Sequence, residues 1–274
     1  MKLRSASPVF LVVLFLISLP CRAPAVGSGD YSTEKLKTVA SQAELLRGLD
    51  FKDLPAVEFV PTGSMQEFLP LLKSYYAEDS ERIVGLTHAM KFMRLVPQNE
   101  DVETELERIR SLQTRSFFST ENGNVYIDTG RVVPLWDAPL IKRTMQQLEM
   151  GELEFVLSRE LSYALLQQNY APDCAGRADS LDSFLACRAA VDGGVVLLMS
   201  EYLIRNTGLN LLMLPNPEAI IRQFQPLVTY MDEKAVDSLP PFLSDYVLFP
   251  YTKGISFCFH QKKSGGDMLL NAAY

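Results

Sequence analysis

Apolar residues recur at helical spacing along most of the chain, most regularly in residues 152–170. This stretch contains no Pro or Gly, and its periodic apolar residues are Leu153, Val156, Leu157, Leu161, Ala164 and Leu165. Positions three and four apart lie on one face of a helix, so the pattern predicts a buried amphipathic helix. We expect the other elements to pack around this central helix.

The same periodicity predicts further helices on both sides of the central one. Their ranges are 33–49, 81–95, 101–112, 140–148, 180–205 and 217–231, with another that carries Phe68, Leu71, Leu72 and Tyr75 and a last one that includes residues 249–254. Gly265-Gly266 is expected to break the last helix. Within 180–205, Gly193 and Gly194 each disfavour a helix by about 1 kcal/mol relative to alanine. These two glycines therefore predict close packing, with the central helix as the expected neighbour.

Two short stretches have the pattern of β-strands. Residues 57–60 read as a single strand, and apolar residues alternate on both sides of Asn122-Gly123 between residues 116 and 127. An Asn-Gly pair flanked by alternating apolar residues is a strong signal for a β-hairpin. The fold class predicted from these patterns is mainly α (α+β), with a small hairpin or sheet.

The first 25 residues have the pattern of a secretory signal peptide. Lys2 and Arg4 precede an apolar run from Val9 to Leu19, and Ala23-Pro24-Ala25 resembles a cleavage site. The run is too short to span a bilayer, so we expect no membrane span after cleavage. A lipid on Cys21 is the alternative, although Pro20 fits a lipoprotein site poorly. The pattern predicts an exported, periplasmic or extracellular protein.

The remaining chain is organised as a leader and one domain. Residues 26–39 are interpreted as a flexible leader and the start of the first helix, and residues 40–274 as a single domain. Loss of the signal would change the net charge from −7 to −10, because it removes three basic residues and no acidic ones. The chain has no cluster of Lys and Arg, so we expect no nucleic-acid partner.

Three cysteines follow the predicted signal: Cys174, Cys187 and Cys258. Export permits a disulfide, and Cys174 with Cys187 would close a short loop just after the central helix. The alternative is that all three are small buried apolar residues. There is no C-x-x-C pair, so the sequence gives no support to a cysteine zinc site.

The second turn of the central helix contains the candidate chemistry, at Arg159, Glu160 and Tyr163. In a zinc-protease helix the same spacing reads His-Glu-x-x-His, because residues four apart place two imidazoles on one zinc while the Glu handles a water. An arginine head group stays protonated and has no lone pair for a metal. Tyrosine is a rare ligand, so we predict that no metal or other cofactor binds here.

Five stretches in the same order resemble a family of exported bacterial zinc metallopeptidases with a gluzincin-like helical domain. They are Arg47-Gly48-Leu49 with the strand 57–60, the hairpin 116–127, the helix segment 159–168, the segment 189–195 and Phe249-Pro250-Tyr251 followed by Gly254 and Gly265-Gly266. The likeness covers roughly residues 40–274. It implies that Asp192 stands where the family has a glutamate zinc ligand. It also makes Tyr126 and Tyr251 candidates for lining the cleft.

The resemblance fails at the residues that would do chemistry, which suggests an inactive relative. We expect a non-catalytic protein that binds a peptide or protein partner. The alternatives are an active zinc hydrolase with atypical ligands and a structural component of the cell envelope.

The degenerate site allows specific expectations for single residues. Arg159 is either a solvated helix residue or an internal cation in place of zinc, paired with Glu160 or Asp192. In the second case we expect direct contact with Asp192, with Tyr163 packed beside the pair. Glu160 is expected to be a salt-bridged helix residue. His88 and His260 do not stand at motif spacing and are expected to be surface or ordinary polar residues.

Overall fold

The computed structural model describes residues 31–61, 65–68, 80–128, 139–174, 176–214, 225–231 and 236–274. The predicted signal peptide and residues 26–30 of the predicted leader lie outside these ranges. So do Leu71, Leu72 and Tyr75 of one predicted helix, and most of the predicted helix 217–231. The predictions for these stretches stay predictions.

The described chain is mainly helical with a small sheet, which confirms the predicted fold class. Its α-helices are α1 (Thr33–Arg47), α2 (Ser80–Phe92), α3 (Val102–Gln113), α4 (Pro139–Gln147), α5 (Glu152–Tyr170), α6 (Leu181–Ile204), α7 (Gln225–Thr229) and α8 (Pro241–Asn271). Short 3-10 turns lie at Met65–Phe68, Arg205–Thr207 and Leu211–Met213. Helix α8 departs from helical geometry at Gly265 and Gly266, where the break was predicted.

The sheet has three strands, β1 (Val57–Val60), β2 (Ser116–Phe118) and β3 (Val125–Asp128), in the order β1-β3-β2. Strands β2 and β3 form the predicted antiparallel hairpin, with Phe117 opposite Tyr126. Strand β1 pairs with β3 in parallel, with Val57 opposite Val125. The hairpin thereby brings Ser116 against the central helix α5.

Local capping groups set the helix ends. Ser32 accepts a hydrogen bond from the Lys35 amide at the start of α1, and Gly48 ends this helix in the left-handed conformation. Asp101 caps the start of α3 in the way that Ser32 caps the start of α1. A hydrogen bond from the Thr104 amide to Asp101 is the main reason that the pKa of this carboxyl lies below its ordinary value. Helix α2 ends at Phe92 instead of the predicted Leu95, and Arg94 follows in a positive-φ conformation.

Helix α5 has the predicted bounds but is not amphipathic in its middle. All residues from Phe155 to Leu166 are buried, and α1, α6 and β2 pack around the helix. Its polar residues therefore lie in the interior and need partners there. Helix α6 is long and apolar enough to cross a membrane, but 72% of its most apolar window is buried inside the protein. It packs as a core helix.

The predicted close packing at the two adjacent glycines is correct, but the main neighbour is α8. A Cβ added to Gly193 would lie 2.1 Å from the carbonyl carbon of Gly254 in α8. A Cβ on Gly194 would lie 1.9 Å from the Tyr274 hydroxyl and 3.6 Å from Leu166 of α5. Helices α6 and α8 therefore touch backbone to backbone, and α5 contributes only a side chain to this region.

A disulfide joins Cys174 to Cys187, while Cys258 is a free, buried thiol. The bond ties the loop after α5 to the first two turns of α6. This settles the two alternatives that the sequence left open: one pair is bonded, and the third cysteine is a small buried residue.

Candidate functional site

Arg159 and Glu160 form an ion pair in the middle of α5. The Arg159 Nη1 atom donates to Glu160 Oε1 at 2.5 Å, and the two residues are 3% and 0% exposed. Arg159 is therefore an internal cation, not a solvated one. The expectation that Glu160 is a salt-bridged residue is confirmed.

The hairpin and the segment after α7 complete the surroundings of Glu160. The Ser116 hydroxyl donates to Glu160 Oε1 at 2.6 Å and lies 2.9 Å from the Tyr230 hydroxyl. Among the described residues, Glu160 Oε2 has no hydrogen-bond partner. Sequence reasoning singled out neither Ser116 nor Tyr230, because their proximity depends on the tertiary fold.

Two tyrosine rings flank the Arg159 guanidinium. Its central carbon lies 4.6 Å from the ring centroid of Tyr230 and 5.2 Å from that of Tyr163. Both distances are within the range of cation–π attraction. Burial alone would lower the pKa of Arg159, but the attraction of Glu160 and the neighbouring phenols outweighs it, so the pKa lies well above its ordinary value. For the Tyr230 phenol, by contrast, burial itself raises the pKa. Arg159 thus carries a permanent positive charge.

Asp192 has its own cation. Arg188, one turn earlier on α6, donates from Nε at 3.1 Å and from Nη2 at 2.8 Å to Asp192 Oδ2. The Tyr163 hydroxyl donates to Asp192 Oδ1 at 2.7 Å. The predicted direct contact between Arg159 and Asp192 is therefore wrong, because each carboxylate pairs with an arginine of its own helix. Sequence reasoning missed Arg188, although Arg and Asp four residues apart share a helix face.

Tyr163 connects the two ion pairs. Its ring lies against Arg159, and its hydroxyl holds Asp192. The Arg159–Asp192 pair beside which Tyr163 was expected to pack does not form, but Tyr163 contacts both of these residues. One polar network therefore runs from β2 through α5 to α6 inside the core.

The donors in this network do not fit a zinc ion. Arg159 has no lone pair, the Tyr163 hydroxyl is directed at Asp192, and both Asp192 oxygens already accept hydrogen bonds. The part of the chain that the structure describes has no group of three or more His, Cys, Asp or Glu side chains placed to hold a metal. That the chain binds no metal stays a prediction.

The two other predicted site residues lie in different surroundings. Tyr126 is 4% exposed, its ring stacks on Phe117 at 5.0 Å, and its hydroxyl accepts a hydrogen bond from Asn122. It is a core residue of the hairpin. Tyr251 is also buried, and it lines a pocket next to Arg188. His88 and His260 are exposed, as expected.

This pocket of about 50 Å³ lies between α3, α6 and α8, and sequence reasoning did not find it. Its apolar walls include Leu106, Ile109, Leu185 and Val247. Arg188 and Gln113 are its polar lining residues apart from the two tyrosines. Because Arg188 also binds Asp192, the pocket adjoins the buried polar network.

Comparison of the chain with family models, curated proteins and solved structures finds no match.

Proposed function

We propose that this chain is a metallopeptidase-like protein without peptidase activity, which binds a peptide or protein partner. The resemblance of its sequence to gluzincin-like peptidases supports the scaffold. The observation that carries the loss of activity is the pair of internal salt bridges. Arg159 with Glu160 and Arg188 with Asp192 occupy the carboxylates that a zinc peptidase of this kind would use.

The ion pairs oppose metal chemistry in two ways. A guanidinium at position 159 is a permanent cation in a low-dielectric interior, where it repels a dication strongly. The carboxylates are also held by hydrogen bonds from Ser116, Tyr163 and the two arginines. A metal would have to displace these donors, and the chain offers no imidazole at the motif positions to help it.

Elemental analysis tests this proposal against the alternative of an active hydrolase with atypical ligands. The free Glu160 Oε2 atom is the one feature that favours the alternative. We expect purified protein, dialysed against zinc and then against buffer, to retain no stoichiometric zinc and to leave casein uncleaved. One zinc per chain that is lost in Asp192→Asn but kept in Asp182→Asn would overturn the proposal, since Asp182 is exposed on the same helix.

A display experiment tests the binding function. Random dodecapeptides on phage would be selected against the immobilised protein and against an empty surface. We expect a consensus peptide to be enriched on the protein alone. Enrichment no greater than on the empty surface would favour the structural role in the cell envelope instead.

We also propose that the protein is exported and works outside the cytoplasm. The sequence of residues 1–25 supports this, and so does the Cys174–Cys187 disulfide, because such bonds persist in oxidising compartments. N-terminal sequencing of the mature protein should find a start close to Val26. A retained Met1 or a lipidated Cys21 would contradict this proposal.

A further inference from the structure

The end of α2 places three large apolar side chains in water. Phe92 is 89% exposed, Met93 56% and Leu95 37%, and Phe92 is the most exposed of the large apolar residues that the structure describes. Single apolar residues on a surface are ordinary, but three within four positions form a patch. We call residues 91–95 the α2 tip. Covering this patch with another apolar surface would be favourable.

Hydrogen bonds hold the α2 tip in one conformation. The Leu95 amide donates to the Met90 carbonyl at 2.9 Å, and the Arg94 amide donates to the Lys91 carbonyl at 3.1 Å. This is the pattern that closes a helix with a left-handed residue. On either side of the tip, Met90 and Val96 are 0% and 3% exposed and belong to the core around α3. The apolar side chains are therefore presented on a fixed turn.

Arg94 occupies the left-handed position of this turn, with φ = 57°. Glycine is the usual residue there, because a side chain costs free energy in this conformation. The Arg94 side chain is exposed. The turn itself does not require an arginine, so what this residue adds is a positive charge beside the apolar patch.

The α2 tip is a basic region of an acidic protein. Between residues 84 and 99 the sequence has Lys91 and Arg94 and no Asp or Glu, whereas the whole chain has a net charge of −7. Asp101, at the start of α3, is an acidic group that attracts Lys91. An apolar patch flanked by cations is complementary to a surface that combines hydrocarbon with negative charge.

The size and shape of the patch favour a lipid surface over a protein partner. An aromatic side chain presents about 150–250 Å², and Met and Leu are no larger. Three such side chains offer less than the roughly 800 Å² that each partner buries in a stable protein–protein interface. Phe92, at 89% exposure, also protrudes from its surroundings. The interfacial region of a bilayer accepts a protruding apolar group without a matching cavity.

We propose that the α2 tip docks the protein on the surface of a bilayer that contains anionic phospholipid. Phe92 and Met93 enter the interfacial region, while Lys91 and Arg94 pair with lipid phosphate groups. This inference goes beyond the proposed peptide binding and does not depend on it. The tip shares no residue with the buried polar network or with the pocket between α3, α6 and α8.

Vesicle flotation tests the docking. The exported chain from Val26 onward is used, because the apolar run from Val9 to Leu19 would bind vesicles by itself. We expect it to float with vesicles of phosphatidylcholine mixed with phosphatidylglycerol and to be released at high salt, which screens the charges. It should bind vesicles of phosphatidylcholine alone much more weakly. Absence of flotation, or equal flotation with both vesicles at all salt concentrations, would overturn the proposal.

Variants locate the docking on the α2 tip. Phe92→Ser should lower the vesicle affinity about tenfold or more, since it removes the largest apolar group. Arg94→Gly should lower it about fivefold, which corresponds to about 1 kcal/mol for one cation near an anionic surface. The same variant should not lower the melting temperature, because glycine adopts a φ of 57° without strain. This combination separates a role in binding from a role in folding.

Leu45→Ser is the matched control for Phe92→Ser, because Leu45 is 75% exposed on α1. It should float like the parent protein. If Phe92→Ser and Arg94→Gly both fold and float like the parent, or if Leu45→Ser weakens flotation as much as Phe92→Ser does, the α2 tip is not the docking surface.

Tryptophan fluorescence tests insertion directly. The emission of Phe92→Trp should shift to shorter wavelength on addition of the anionic vesicles, while Leu45→Trp should show no more change than the parent, whose one tryptophan is Trp136. An unshifted spectrum for Phe92→Trp would contradict insertion. Sedimentation without lipid tests whether two copies cover the patch instead. A parent protein that dimerises while Phe92→Ser stays monomeric would replace the lipid surface by a contact between copies.

Discussion

Arg159 and Arg188 place two guanidinium groups inside the core, at 3% and 6% exposure. Arginine is almost never buried without a partner, because removing a charge from water is expensive. Here Glu160 and Asp192 provide the partners. The effect on stability is asymmetric. Removing a whole ion pair changes the free energy of unfolding little, whereas removing one member leaves a buried charge and lowers it.

This asymmetry predicts the behaviour of Arg188→Met. Asp192 would remain buried with Tyr163 as its remaining hydrogen-bond donor among the contacts described above, and we expect a loss of about 3–5 kcal/mol in the free energy of unfolding. The double variant Arg188→Met/Asp192→Asn should recover much of this loss, since it removes both charges and keeps an acceptor for Tyr163. Urea unfolding measures both.

Arg177→Met is the matched control, because Arg177 is exposed in the loop before α6. Its free energy of unfolding should lie within about 0.5 kcal/mol of the parent value. If Arg188→Met lowered the free energy of unfolding as little as this control, the Arg188–Asp192 pair would contribute nothing to stability.

Glu201, in another part of the core, makes the stability of the fold depend on pH. It pairs with Lys262 at 2.9 Å, and Lys262 also lies 3.2 Å from Asp267. Burial raises the pKa of Glu201 above its ordinary value of 4.5, although Lys262 acts in the opposite direction. A carboxyl with a raised folded-state pKa contributes stability that is fully present below its unfolded pKa. That contribution is lost as the pH rises through the folded value.

Glu201→Gln should therefore change the pH profile of stability. We expect the stability of the parent relative to this variant to fall as the pH rises above about 4.5, with a slope of at most about 1.4 kcal/mol per pH unit. Thermal or urea unfolding across pH 4–8 measures it. Glu34→Gln, at the exposed start of α1, controls for the loss of one acid. A parallel pair of profiles for parent and Glu201→Gln would contradict the prediction.

At the level of single residues, the sequence leaves open whether Arg159 is solvated or internal, and the direct contact with Asp192 that we expect for an internal Arg159 does not form. Neighbours along a helix do not face each other, so pairing of Arg159 with Glu160 is not expected from spacing. Ser116 and Tyr230 come from distant segments and complete the arrangement. The Arg188–Asp192 pair, by contrast, could have been found from its spacing alone.

Helix bounds are the property that the pattern predicts best. Helix α5 runs from Glu152 to Tyr170 as predicted, since Gly151 precedes it and Ala171 ends it in the left-handed conformation. The pattern does not predict the environment of this helix. Polar residues in the middle of the stretch suggest a solvated face, but here they are buried, and Glu160 and Tyr163 bond to residues of other elements, which a helical period does not reveal.

The crossing of α6 and α8 provides a test at the level of elements. Gly193→Ala would place a methyl group 2.1 Å from the Gly254 backbone, so the two helices would have to separate. We expect a loss of about 1–3 kcal/mol, as for other overpacked cores. Gly85→Ala is the matched control: Gly85 is exposed inside α2, and the described atoms leave open space around its added Cβ.

The control substitution should change the stability in the opposite direction. Alanine is favoured over glycine inside a helix by about 1 kcal/mol, so Gly85→Ala should raise the melting temperature while Gly193→Ala lowers it. Equal melting temperatures for the two variants would show that the α6–α8 contact is not tight in solution.

At the scale of the whole molecule, the pocket forms where separate parts of the core meet. Leu106 and Ile109 belong to the cluster around α2, α3 and the first turns of α8, whereas Tyr251 belongs to the larger cluster around α5 and α6. No local pattern in the sequence marks such a junction, because its shape depends on how three helices pack. For the same reason the spacing of the cysteines could not decide between a disulfide and three free thiols.

The parallel pairing of β1 with β3 has a consequence for the order of folding. The hairpin of β2 and β3 closes over a few residues, but Val57 must find Val125 across α2 and α3. The entropy of closing a loop grows with its length, so contacts that are distant in sequence tend to form after local ones. The hairpin and its contact with α5 should therefore be established first, with β1 arriving late. A chain stalled before that step would expose the β3 edge, where another copy could pair in its place.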